Sequence, residues 1–109
     1  MWYDTSPIAI TVCDVNGIIV YMNEKSKNTF EKDGGEKLIG SSLYECHTEN
    51  SNSQIKRLIR ENEKNTYTIE KKGIKKLIHQ MPWYENENVA GLVEISIELP
   101  EQMQHHVRS

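Results

Sequence analysis

The sequence predicts an α+β fold in which helices cover one face of an antiparallel sheet. Two observations support this class: strand-like alternation occurs at both ends of the 109-residue chain, and helix-like patterns lie between them. The predicted order is strand, strand, helix, helix, strand, strand, strand. Strands that flank a run of helices favour an antiparallel sheet with the helices on one side.

Strand 1 is predicted at residues 8–13, where the side chains alternate. Its strongly apolar side carries Ile10 and Val12, and its other side carries Thr11 and Cys13. Successive side chains of a strand point to opposite faces. We therefore assign the side with Ile10 and Val12 to the helix-covered face, and the side with Thr11 and Cys13 to the outer face.

A tight turn and a helix cap are predicted next. The Asn-Gly pair at residues 16–17 suits a two-residue turn, because both residue types tolerate positive φ. Residues 18–22 return as strand 2, and the side-chain oxygen of Asn23 caps a helix over residues 24–32. The Gly-Gly pair that follows ends this helix.

The central helix is the best-defined helical pattern. Ser51 and Gln54 have the spacing of a capping box at its start. Residues at i, i+3 and i+4 then form an apolar stripe that should face the core, namely Ile55, Leu58 and Ile59. We expect the helix to end near Asn65.

Three alternating segments, separated by turns at 72–73 and 86–88, complete the sheet. We assign one side of the last two strands to the helix-covered face: Leu77, His79, Met81, Trp83, Val93, Ile95, Ile97 and Leu99. Glu94, Ser96 and Glu98 then point outward.

Composition excludes several classes of protein. The net charge of −3 lacks the basic excess of a nucleic-acid-binding protein, and no apolar run has transmembrane length. The N-terminus has no signal-peptide pattern, and two cysteines make no disulfide framework. We therefore expect a cytoplasmic protein that binds neither nucleic acid nor membrane.

The sequence resembles a PAS domain. The pattern D-x-x-G-x-I-x-Y-x-N is present as Asp14, Gly17, Ile19, Tyr21 and Asn23. Leu-Ile-Gly at residues 38–40 and the hairpin at 82–91 follow in the order typical of that family. The segment at residues 38–47, followed by the central helix, is also similar to the PAS subgroup found with hemerythrin-like regulatory proteins.

The resemblance covers residues 6–99, so we expect a single domain over 1–109 with a C-terminal tail at 100–109. It implies a five-stranded antiparallel sheet in the order 2-1-5-4-3, with helices on one face. It also implies a non-catalytic sensory module that binds a small ligand or a protein partner and relays the change. Whether the chain acts alone or belongs to a larger regulator stays open.

A small apolar pocket is predicted between the assigned sheet face and the central helix. Its predicted lining is Ile10, Val12, Tyr21, Ile55, Leu58, Ile59, Leu77, His79, Met81, Val93 and Ile95. Mostly hydrocarbon walls with one or two polar groups are typical of small-molecule sites. The same residues could instead fill the space themselves, which would leave a pure interaction or dimerisation domain.

Histidine and cysteine residues raise the question of metal or thiol chemistry. His79 is either a ligand-facing group or a core histidine satisfied by its neighbours. Cys46 and His47, in a loop near the pocket, could bind metal or haem or act as a redox pair. Adjacent side chains rarely converge and no C-x-x-C motif is present, so we predict no metal site, no catalytic residue and no required cofactor. Haem through either histidine, and a nucleophile pair of Cys46 with His79, stay as alternatives.

A homodimer is the expected assembly, together with a signalling output partner. Domains of the PAS type often pair through the outer sheet face and the N-terminal flank. On the face assignment above, the pairing patch would contain Trp2, Tyr3, Thr11 and Leu92.

Overall fold

The computed structural model describes residues 1–45 and 48–109 of the chain. Its strands and α-helices are β1 (Ala9–Asp14), β2 (Ile19–Met22), α1 (Glu24–Thr29), α2 (Glu49–Glu61), β3 (Asn65–Lys71), β4 (Ile74–Glu85) and β5 (Asn88–Leu99). Short 3-10 turns occur at Trp2–Asp4, Glu31–Asp33, Gly35–Leu38 and Leu43–Glu45.

The strands of the described residues form one five-stranded sheet in the order β2-β1-β5-β4-β3, with each neighbouring pair antiparallel. This confirms the α+β class and the strand order that the resemblance implied. The two helices and the 3-10 turns at Glu31–Asp33, Gly35–Leu38 and Leu43–Glu45 lie between β2 and β3 in the chain.

The turn between β1 and β2 is built around an aspartate. The Asp14 Oδ1 atom accepts hydrogen bonds from the backbone N–H groups of Asn16, at 2.8 Å, and Ile18, at 3.0 Å. Gly17 takes a φ of 79°, whereas Asn16 does not adopt positive φ, so the prediction of two left-handed residues is wrong for Asn16. The carboxylate supplies the turn geometry that we had assigned to Asn16. A Cβ on Gly17 would also lie 2.4 Å from the Tyr44 ring.

Asn23 caps α1 as predicted, and it also ties three segments together. Its Oδ1 accepts from the N–H of Ser26 and from the N–H of Ile10, both at 3.0 Å. Its Nδ2 donates to the carbonyl oxygens of Tyr3 and Ile8, both at 2.8 Å. Only 2% of Asn23 is exposed, and its bonds to the N–H groups of Ile10 and Ser26 are buried. Helix α1 ends at Thr29, earlier than predicted, because it buries only Ser26 and has no apolar face to extend.

Helix α2 begins two residues before the predicted cap. Thr48 is the N-cap, and its side-chain oxygen accepts from the N–H of Ser51 at 3.2 Å. The assignment of Ser51 as the cap is therefore wrong, because a threonine three residues earlier offers the same oxygen acceptor. The helix ends at Glu61 rather than near Asn65, and its C-cap Asn62 takes the left-handed conformation with φ 55°.

The core shows that the two faces of the sheet are assigned the wrong way round. Cys13 and Leu92 are paired across β1 and β5 and form a buried cluster with Ile55 and Leu58 of α2. The helix-covered face, here called the inner face, therefore carries Cys13, Leu92 and the side chains that alternate in phase with them. Period-2 alternation shows which residues share a face but not which face is covered.

The outer face carries the side chains that we had assigned to the pocket and to the covered side of the sheet: Ile10, Val12, Tyr21, Leu77, His79, Met81, Trp83, Val93, Ile95, Ile97 and Leu99. Trp2–Asp4 lies against the β2 end of this face, where the Tyr3 and Tyr21 rings meet at 5.7 Å. The hydroxyl of Tyr21 donates to the Asp4 carboxylate at 2.5 Å.

Candidate functional site

Three neighbouring cavities that share lining residues lie between the inner face and the segments that cover it. A polar lobe of about 420 Å³ opens to solvent beside α2 and is lined by Ser51, Gln54, Ile55, Asn65, Tyr67, Gln80 and Glu94. An apolar lobe of about 110 Å³ is lined by Thr11, Ile19, Met22, Phe30, Asp33, Leu38, Leu43 and Glu94. A throat of about 20 Å³ is lined by Thr11, Cys13, Leu43, Ile55, Gln80, Leu92 and Glu94.

Glu94 is the residue that the two lobes and the throat share. It lies on β5, where its cross-strand neighbours are Thr11 on β1 and Gln80 on β4. The central position follows from the sheet order, because β5 is the middle strand. The Glu94 carboxylate is therefore available to a ligand in either lobe.

A hydrogen-bonded row of side chains runs across three strands to this carboxylate. The Asn65 Nδ2 donates to the Gln80 Oε1 at 3.2 Å, and the Gln80 Nε2 donates to the Glu94 Oε1 at 2.9 Å. Because a carboxylate only accepts, Gln80 must present its NH₂ group to Glu94 and its oxygen to Asn65. Gln80 is 5% exposed, so the row holds Glu94 in one orientation.

Besides burial, the negative charge of Glu94 contributes to the raised pKa values of two neighbouring side chains, Tyr67 and Cys13. Burial raises the pKa of the Tyr67 hydroxyl, and the negative charge of Glu94 raises it further. Burial also raises the pKa of the Cys13 thiol, with smaller contributions from Asp14 and Glu94. Both groups are therefore neutral at pH 7, and Cys13 is a core residue rather than a reactive thiol.

Of the residues predicted to line the pocket, the structure brings those of the central helix to the cavity region. Ile55 lines the polar lobe and the throat. Leu58 lies behind it, fully buried, and Ile59 packs against the same core cluster. The placement of the eight strand residues beside this helix is wrong, since they lie on the outer face: Ile10, Val12, Tyr21, Leu77, His79, Met81, Val93 and Ile95.

His79 makes a cross-strand contact on that outer face. Its Nδ1 lies 2.8 Å from the Thr66 Oγ1, so a neighbouring hydroxyl satisfies one of its two ring nitrogens. Tyr21 bonds to Asp4 and not to His79. Cys46 and His47, predicted to lie in a loop near the pocket, are outside the described residues.

Sequence reasoning missed the polar residues of the inner face, Thr11, Asn65, Gln80 and Glu94. The alternation assigns Thr11 and Glu94 to the outer face, with Thr11 in the expected pairing patch. The sequence does contain an indication of this. Leu92 and Val93 are adjacent and both apolar, so each face of β5 carries an apolar residue and neither face is expected to be fully exposed to solvent. A carboxylate within such a strand indicates a polar cavity as readily as a wet surface.

Across residues 1–45 and 48–109, no group of three or more His, Cys, Asp or Glu side chains could hold a metal ion. None of the helices in that part of the chain is long and apolar enough to cross a membrane.

Residues 3–103 match the family model described as PAS fold. Comparison with curated protein sequences gives no match. Similar solved structures include the PAS domain of a Colwellia psychrerythraea protein, which is 22% identical with a TM-score of 0.68 over 93% of each chain. The PAS domain of histidine kinase ThkA is 19% identical with a TM-score of 0.69, over 83% of this chain and 97% of that domain.

A larger protein shares the same fold in part. VqmA bound to DPO is 15% identical with a TM-score of 0.73, over 91% of this chain and 55% of VqmA. The chain therefore spans about half the length of VqmA. At these identities the solved structures show a common fold.

Proposed function

This chain belongs to the PAS fold family, and from that premise we propose that it is a non-catalytic sensory signalling module that binds a small molecule at the inner face of its sheet. PAS domains serve as sensory modules, and similar structures come from a histidine kinase and from a sensor histidine kinase of Vibrio cholerae. A cytoplasmic location stays a prediction.

The observation that carries the proposal is the cavity around Glu94. A small domain gains stability by filling its interior, since empty space forfeits packing contacts. Here an apolar lobe of about 110 Å³ adjoins a polar lobe of about 420 Å³. A fixed carboxylate lies where the two lobes meet. Apolar walls with a few oriented polar groups are the usual composition of a ligand site.

A similar fold provides an example of ligand binding. VqmA, which matches 91% of this chain, has been solved bound to DPO. It has also been solved as a complex with ligand and DNA. A PAS fold of this shape is therefore compatible with a small ligand and with an output that lies elsewhere in a larger assembly.

Association through the outer face is the second proposed property, and it is the route by which ligand binding would reach an output partner. This face presents partly exposed apolar side chains on β4 and β5, and the neighbouring Trp2 is 72% exposed. Thr11 and Leu92 do not belong to the patch, because both face the helices. We propose a homodimer that pairs through the outer face with Trp2 and Tyr3 at its edge.

Native mass spectrometry of the freshly purified chain, with an absorbance scan for haem or flavin, tests the ligand proposal. We expect an added small-molecule mass on the wild type. Leu38→Trp should abolish that mass, because Leu38 lines the apolar lobe and the larger indole would fill it. Leu77→Trp on the outer face is the control and should retain the mass. A bare chain that also binds no added probe would leave only the interaction-domain alternative.

A further inference from the structure

We propose that the ligand of this cavity is a small organic cation, an amine whose ammonium group pairs with Glu94 and whose short apolar part occupies the apolar lobe. The inference rests on the proposed function, since it names the chemical class that the same site accepts.

The first support is the unused oxygen of Glu94. Its Oε1 accepts from Gln80 at 2.9 Å, whereas its Oε2 has no hydrogen-bond partner within residues 1–45 and 48–109. The side chain is only partly exposed, and no described Lys or Arg forms an ion pair with it. The Oε2 atom of this partly buried side chain can accept from a ligand, and a charged donor is favoured because charge-assisted hydrogen bonds are stronger than neutral ones.

The charge of the surrounding walls is the second support. Among the described residues that line the lobes and the throat, the formally charged side chains are Glu94 and Asp33, and none is a Lys or Arg. Both charges are negative, and Glu94 adds to the rise in the pKa of Tyr67 that burial mainly causes. An anionic ligand would meet like charge without a compensating donor, whereas a cation would meet complementary charge.

The shape of the cavity limits the apolar part of the ligand. An apolar cavity of about 150 Å³ accepts a benzene ring, so a lobe of this kind takes a fragment of roughly four to six carbons. The apolar lobe measures about 110 Å³ and has Glu94 in its lining, so an amine carried by a hydrocarbon in the lobe can lie beside the carboxylate. The polar lobe, which is open to solvent, provides the way in.

A matched probe series tests the charge preference. Cyclohexylammonium, cyclohexanol and cyclohexanecarboxylate have the same ring and differ in the charge of the polar group. Each is titrated into the full chain and followed by amide NMR shifts. The variants are Glu94→Gln, which keeps an oxygen that can accept from Gln80, and Glu98→Gln as the control. The control removes one negative charge from the same strand at an exposed position outside the cavity linings.

We expect cyclohexylammonium to bind the wild type and Glu98→Gln about tenfold or more tightly than cyclohexanol, and we expect Glu94→Gln to lose that advantage. Equal binding of the ammonium and the alcohol, or tighter binding of the carboxylate, would show that the ligand is not selected for positive charge. If Leu38→Trp blocks that binding, the proposal of a ligand site in the cavity still holds. If none of the probes binds the wild type at millimolar concentration and the purified chain carries no ligand, both this inference and the proposed function fail. The comparison of probes on the wild type decides the question even if Glu94→Gln does not fold.

Discussion

The substitution Leu58→Ala tests whether Leu58 belongs to the packed core of this domain or to the wall of its cavity. Leu58 is 0% exposed and packs with Cys13, Ile55 and Leu92, and it is absent from the cavity linings. The substitution removes three buried carbons, worth about 2.4 kcal/mol at about 0.8 kcal/mol per methylene. Incomplete collapse of the surroundings adds a cavity contribution, and Leu→Ala changes in cores cost about 2–5 kcal/mol. We expect about 3–4 kcal/mol.

Chemical denaturation followed by circular dichroism measures this loss, and a loss of 3 kcal/mol should lower Tm by roughly 12–24 °C. Ile59→Ala is the matched control on the same helix. Ile59 is only partly buried at the edge of the cluster, so its loss should be about half as large. Ligand affinity should stay unchanged in Leu58→Ala and fall in Ile55→Ala. A loss below about 1 kcal/mol in Leu58→Ala, together with altered affinity, would show that Leu58 borders open space and would refute this division.

Other substitutions test the local chemistry. Asn23→Ala should lower the free energy of unfolding by about 2–4 kcal/mol, measured by denaturant unfolding, which is more than the roughly 1 kcal/mol expected for the loss of a helix cap alone. The loss is larger because the buried N–H of Ile10 and two carbonyl groups would be left without their partner. A loss near 1 kcal/mol would mean that those bonds contribute little. Gly91→Ala should lower the free energy of unfolding by more than about 2 kcal/mol, because its Cβ would clash with the Cys13 carbonyl oxygen and push β1 away from β5. Gly40→Ala is the control and should lower it less, because the space around Gly40 is open. A lower melting temperature for Gly40→Ala than for Gly91→Ala would contradict this packing. Burial and the bond to Asp4 raise the pKa of Tyr21 from 10.0 to about 12, so its neutral form stabilises the fold fully below pH 10 and progressively less up to pH 12. The stability difference between the wild type and Tyr21→Phe should therefore shrink over that range, and a constant difference would argue against the Tyr21–Asp4 bond.

Local chemistry made parts of the fold predictable from sequence. Asn23 sits after an apolar strand and before polar helix formers, and a side chain with that position has few roles besides capping. Lys72 and Gly73 form the β3–β4 turn, as the sequence predicted, and both take positive φ. Asn86 in the last hairpin is also left-handed, which agrees with the tolerance of asparagine for that conformation. Glu87, the next residue, is left-handed as well, and its residue type gives no such indication.

The covered face was not predictable in the same way. Both sides of β1 and β5 carry apolar residues, so alternation groups the side chains by face but does not show which face the helices cover. The outer set is the more apolar one, because the inner face gives several of its positions to a polar cavity around Gln80 and Glu94. Hydrophobicity alone therefore points to the wrong side. Only the packing of Ile55 and Leu58 against Cys13 and Leu92 decides which side faces α2.

The most direct test is a set of intermolecular NOE measurements on chain labelled with ¹³C at the isoleucine δ1 methyl groups, in the presence of cyclohexylammonium. Ile19 and Ile55 report from the inner face, where they line the apolar lobe and the polar lobe. Ile95 and Ile97 report from the outer face. A ligand held between the sheet and its helices predicts NOEs from the ring protons to Ile19 and Ile55 and none to Ile95 or Ile97. NOEs confined to Ile95 and Ile97 would contradict the inner-face site and place the binding surface on the opposite side of the sheet.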